Sequence, residues 1–114
     1  MNLNKNIFRL KHILESIDKI NSISKDLSHE KFAENWILQD AVIRNLEVIG
    51  EASNHIDDEL KNEYPEVAWN EIRGLRNIIA HVYFEIDTKQ IWNTIQDNIP
   101  ELQSQIQQIL KKLE

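Results

Sequence analysis

The chain contains no cysteine, only two glycines and two prolines, and no apolar run approaching the ~20 residues needed to cross a bilayer. The first absence excludes disulfides and thiol chemistry. The second, beside abundant Leu, Ile, Glu, Lys, Gln and Asn, points to an all-helical protein. The third, with no signal-peptide pattern after Met1, leads us to expect a soluble, cytoplasmic chain with no membrane association. No glycine-rich loop follows a strand, so phosphate-loop nucleotide binding is not expected. The four histidines stand at 12, 29, 55 and 81, none sharing a helix face with another, and no His-Glu-x-x-His spacing occurs. We expect neither metal nor cofactor.

At 114 residues the chain is expected to form one domain, 1–114, with one core. The formal net charge of −6 is unevenly spread: residues 1–25 carry five basic and two acidic side chains, 26–66 three and eleven, and 67–114 five and six. Non-specific affinity for nucleic acid comes from neutralising phosphates, so any RNA contact must be local, near Arg73, Arg76 and the basic Lys5, Arg9 and Lys11. The acidic middle could instead face a basic partner.

In chain order, Ile7, Leu10, Ile13, Leu14, Ile17 and Ile20 recur at three- and four-residue spacing and predict an amphipathic helix over 3–24. His12 reads as a surface residue of that helix. Ser28 is a usable N-cap for a second helix continuing to about Asn54, apolar on more than one side. Along it runs a polar ribbon of Asp40, Arg44, Glu47 and Glu51. These residues either pair within the helix, or Arg44 and Asn45 turn toward a site on a neighbouring helix. A short acidic helix should stop at Tyr64-Pro65, because the residue before proline avoids the helical region. His55 reads as a residue at the end of the second helix. Trp69 starts a third long helix, with Ala68 or Asn70 at its cap, and Asp87 or Thr88 caps a last one. Pro100 should begin a fresh turn or kink that last helix. Four long helices and a short one make an antiparallel four-helix bundle with an additional short helix.

The stretch from Glu71 to Tyr83 carries the chemistry. Wound at ~100° per residue, it gathers Ile72, Leu75, Ile78, Ile79 and Val82 in one stripe and sets Arg73, Arg76, Asn77 and His81 opposite. Gly74 and Ala80 share the polar side, where missing bulk lets another backbone or a ligand approach. Any surface helix shows a polar face. This one, however, is built from Arg, Asn and His, which grip phosphate and move protons, rather than from Lys and Glu. Arg76 and His81 diverge by roughly 140° on an ideal helix. They meet over one atom only if the arginine sweeps across the face or a twofold axis brings a second copy alongside. A His and an Arg without metal suit RNA cleavage by the internal 2′-hydroxyl, with His81 moving a proton, Arg76 offsetting charge on the phosphate and Asn77 orienting either group. A non-catalytic binding role and a purely structural dimerisation role are compatible with the same residues.

The segment Arg76-Asn-Ile-Ile-Ala-His81-Val-Tyr83 reads as Arg-x4-His-x-Tyr and closely resembles the HepT-type toxins of the HEPN superfamily. The run from Gln39 to Ala52 resembles that family's second helix, as do Trp69 ahead of the motif and Trp92 after it. The resemblance covers nearly the whole chain. It implies a HEPN-like helical homodimer acting as a metal-independent ribonuclease, with catalytic Arg76 and His81 of both copies in one cleft and Asn77, Arg73 and Arg44 in support. It also implies an MNT-type nucleotidyltransferase antitoxin as partner, which in some members transfers AMP from ATP onto the motif tyrosine, here Tyr83. Arg73 stands where relatives are expected to carry a smaller, apolar residue. The alternative is a non-catalytic nucleotide- or partner-binding subunit of a minimal nucleotidyltransferase.

Overall fold

The computed structural model describes residues 2–75 and 87–114. Among them every regular element is helical. Helix α1 spans Leu3–Ser24, as its periodicity predicts, and Asn2 caps it by accepting a hydrogen bond from the Lys5 amide. Leu10, Ile13, Ile17 and Ile20 on its inner stripe have no exposed surface. Burying each contributes on the order of 1.5–3 kcal/mol.

The expected single helix from Ser28 to Asn54 is two helices, α2 (His29–Glu34) and α3 (Trp36–Asn54). Asn35 makes the break. Its backbone is extended and its side chain accepts from the amides of Ile37 and Leu38, which opens α3 at the point where α2 would have continued. The buried Gln39 amide then locks the corner by donating to the carbonyls of Phe32 at 2.9 Å and Ala33 at 3.1 Å.

The acidic helix α4 (Asp58–Glu63) stops at Tyr64 before Pro65, as expected, and α5 (Trp69–Gly74) begins at Trp69 with no side-chain cap. The expected continuation of α5 to Tyr83 lies outside the described residues. Beyond that segment Asp87 caps α6 (Thr88–Asn93), accepting from the Gln90 amide. The chain widens into a π-helical stretch, Thr94–Asn98, and tightens again into α7 (Ile99–Leu113), with Pro100 in the first turn of α7. A proline ring crowds the carbonyl four residues before it and offers no N–H. The wide turn, in which the Ile99 amide reaches back to the Thr94 carbonyl, relieves both problems, and it is the irregularity Pro100 predicts.

Helices α3 and α7 both run antiparallel to α1. The start of α1 lies beside the end of α3, and Lys11 of α1 pairs with the terminal Glu114 at 3.2 Å while Asn21 meets Gln103. One hydrophobic cluster joins the elements, with Phe32, Leu46, Ile49, Leu60 and Ile106 fully buried within it.

One polar knot ties the start of α1 to α4. The fully buried Asn6 accepts from the Asp57 amide at 3.1 Å and donates to the Asp57 carboxylate at 3.3 Å. That carboxylate also accepts from the Asn2 amide at 2.9 Å and pairs with Lys5 at 3.4 Å. The Asn2 amide foremost, then Lys5 and Asn6, hold Asp57 below the usual carboxylate range against the opposing effect of burial. A carboxylate more acidic in the folded chain than in the unfolded one favours folding above its ordinary range and loses that contribution as pH falls through its depressed value. Thermal melts across acid pH should therefore show wild type above Asp57→Asn near neutrality, with the gap closing as the solution is acidified. A gap independent of pH would contradict this role.

Candidate nucleic-acid interface

The route into the motif segment is fixed by aromatic anchoring. Tyr64-Pro65 ends α4, buried Val67 pins the turn, and the Trp69 indole donates to the Tyr64 carbonyl at 2.9 Å. Ile72 is buried and Leu75 half-buried, so the described start of the predicted apolar stripe faces the core, and α5 packs against α3; Ile78, Ile79 and Val82 lie outside the described residues. On the other side Arg73 and Gly74 are exposed. A Cβ added at Gly74 would meet nothing within 4 Å, so the space that its missing side chain leaves is open. Arg73 reaches the field of Lys61 on α4. Burial chiefly, with Arg73 adding to it, lowers the Lys61 pKa against the pull of Asp58.

Arg76, Asn77, His81 and Tyr83 lie outside the described residues. Of the two supporting candidates among the described residues, Arg73 leads directly into that segment. Arg44 is exposed on α3 and lines a groove of about 340 Å³ against Arg9 and His12 of α1, together with Glu47, Val48 and Glu51. Asn45, its expected companion, is occupied elsewhere: its amide donates to the Ala41 carbonyl at 2.8 Å within α3. His55 closes α3 as its C-cap residue, as expected, and pairs with Glu51 at 3.0 Å.

The groove between α1 and α3 is what sequence reading missed. His12 reads as a surface residue because no ligand-type side chain shares its face on α1, yet α3 sets Glu47 and Glu51 across from it. Arg9 Nε and His12 Nδ1 are buried without hydrogen-bond partners. The Arg9 guanidinium lies 5.5 Å from the Phe8 ring centre, a cation–π distance. Burial raises the Glu47 pKa, opposed by Arg44. A second cavity, about 230 Å³, opens between α5 and α7 beside Leu75, with Glu66, Glu71 and Glu101 on its rim. No group of three or more His, Asp or Glu able to hold a metal ion occurs among the described residues. No helix among them is long and apolar enough to cross a membrane.

Among the described residues the chain is an all-α bundle whose α5 leads into the Arg-x4-His segment of the sequence. Residues 13–109 match the family model described as Ribonuclease HepT-like, and the chain belongs to that family. It is 38% identical over 95 residues to a protein of Methanocaldococcus jannaschii named as a candidate RNase, covering 83% of this chain and 87% of that one. It is 38% identical over 103 residues to another candidate RNase from Caldanaerobacter subterraneus, covering 90% and 92%. To the "Probable ribonuclease HepT" of Thermococcus cleftensis it is 35% identical over 102 residues, covering 90% and 93%. No solved structure matches the chain.

Proposed function

We propose that residues 1–114 act as one domain, the toxin of a cytoplasmic toxin–antitoxin pair, and that it cleaves RNA without a metal ion. The observation that carries the reading is the family match, which spans the whole Arg76-x4-His81-x-Tyr83 segment together with the helices that precede and follow it. The exposed Arg73 and Gly74 at the entry to that segment support it. In the proposed site, two copies present Arg76 and His81 to a shared cleft. One imidazole takes the proton of the RNA 2′-hydroxyl as its oxygen bonds to phosphorus, and the P–O5′ bond breaks as a proton is returned to the leaving oxygen. Arg76 carries the charge that accumulates on the phosphate, and Asn77 orients the pair. The products are a 2′,3′-cyclic phosphate and a 5′-hydroxyl.

The antitoxin in this reading is a nucleotidyltransferase of the MNT type. It transfers AMP to the Tyr83 phenol, forming the O–P bond as pyrophosphate leaves ATP. The added phosphodiester places negative charge and bulk beside Arg76 and His81 and competes with RNA for the same cation. The test is RNA incubated with purified chain in excess chelator. Cleavage leaving cyclic-phosphate ends, and lost when the 2′-hydroxyl at the cut is replaced by hydrogen, is the expected result. A chain that binds a nucleotidyltransferase but leaves RNA intact would be a partner subunit instead.

A further inference from the structure

The cavity of about 230 Å³ between α5 and α7 is lined by two kinds of side chain. Its floor is aliphatic, with Ile72 and Leu75 from α5 and its cap and Ile99 and Leu102 from α7. Its rim carries three exposed carboxylates, Glu66, Glu71 and Glu101, and no Lys, Arg or His stands among the lining residues. No ion pair among the described residues engages any of the three. Gln105 bridges the two walls near one end by donating to the Glu66 carbonyl at 3.3 Å, and the π-helical stretch brings Thr94 and Asn98 to the other.

Like charges facing one cavity repel, and a cation seated among them relieves that repulsion, while the aliphatic floor favours methylene groups. The carboxylates do not gather into a group able to hold a metal ion among the described residues, so a single point charge does not answer them. A matching ligand spreads its charge along an apolar chain. From Thr94 to Gln105 the wall runs about 16 Å, at ~1.5 Å per residue. The volume lies below the roughly 300–1,000 Å³ of sites that enclose drug-sized molecules. A slender, extended molecule suits both dimensions.

We infer that this cavity binds a linear polyamine, with its methylene segments on the aliphatic floor and its ammonium groups at Glu66, Glu71 and Glu101. Half of the floor belongs to the helix that leads toward Arg76, so an occupant fastens that helix to α7. The assignment is independent of the ribonuclease reading and stands or falls whether or not the chain cuts RNA.

Calorimetric titration of spermidine into the full chain, without RNA and at fixed ionic strength, tests it. Wild type is expected to bind one equivalent saturably and to melt at a higher temperature as spermidine is added, because the ligand binds the folded chain. Glu66→Gln, Glu71→Gln and Glu101→Gln should each weaken binding roughly two- to fivefold, as for exposed ion pairs, and the triple variant more than about tenfold. Glu30→Gln/Glu34→Gln/Asp40→Asn removes as many exposed charges from α2 and α3, away from the cavity, and should bind as wild type does. Magnesium, which gains nothing from an aliphatic floor, should bind more weakly than spermidine. Circular dichroism of each variant controls for folding, which substitutions at exposed positions leave largely unaffected. Magnesium binding as tightly as spermidine, a cavity triple variant that binds like wild type, or an equal loss in both triple variants would each overturn the assignment. Tetralysine binding more tightly than spermidine would overturn it too, making the occupant a basic segment of another protein.

Discussion

Arg76→Ala and His81→Ala are each expected to lower the rate of RNA cleavage by roughly a hundred- to ten-thousandfold. The two losses differ in kind. Removing the imidazole withdraws the group that accepts or returns a proton, so the chemical step slows while RNA binding is largely kept. Removing the guanidinium withdraws charge from a phosphate that becomes more negative as the 2′-oxygen attacks, so both binding and the chemical step suffer. In a chain of net charge −6 there is little general attraction to RNA to compensate. Arg76→Lys should recover only part of the rate, because an ammonium is a point charge without the fork that spans two phosphate oxygens. Gel assays on 5′-labelled RNA, with thermal melts to show that each variant folds, read all of this. Cleavage unchanged in His81→Ala would remove the proposed chemistry.

The largest expected loss of stability lies far from those residues, at Phe32. It is fully buried, its ring is 5.6 Å from Trp92 of α6, and its carbonyl accepts from the Gln39 amide at the start of α3. Its ring therefore joins α2 to the first helix after the motif segment, while its backbone carbonyl, kept in any substitution, holds the corner into α3. Phe32→Ala empties that junction and should cost about 3–5 kcal/mol, through lost transfer free energy and an unfilled cavity. For a chain of this size that is a fall in melting temperature of roughly 12 °C or more. Phe32→Leu, which keeps most of the volume, should cost much less. Equal melts for Phe32→Ala and wild type would mean the junction does not hold the bundle together.

Local signals made much of the fold legible. The three- and four-residue spacing of Leu10, Ile13, Ile17 and Ile20 gives α1, Tyr64-Pro65 gives the end of α4, Trp69 the start of α5, and Asp87 the cap of α6. The disturbance before Pro100 follows from the proline ring and its missing N–H. Asn35 was not legible because it sits inside an apolar pattern that continues from Phe32 to Trp36. The Gln39 contacts to Phe32 and Ala33 that lock the corner exist only once it has formed. The groove of Arg9, His12, Glu47 and Glu51 was hidden for a similar reason, since it is made by the register of two helices and neither helix shows it by itself. Of the candidate site, the apolar side of α5 and the exposure of Arg73 followed from periodicity. Periodicity does not by itself pair Arg76 with His81 across roughly 140° of helix, and the proposed cleft would need a second copy.

Mixing two inactive variants puts that composite cleft to the most direct test. Arg76→Ala and His81→Ala chains are purified separately, combined in equal amounts, allowed to exchange subunits and assayed on labelled RNA. In the proposed shared cleft half of the dimers are then mixed and hold a guanidinium and an imidazole together, which neither variant's own dimers do, so activity should rise well above that of either variant, to at most about half of wild type. A mixture no more active than either variant alone would contradict a cleft shared between copies.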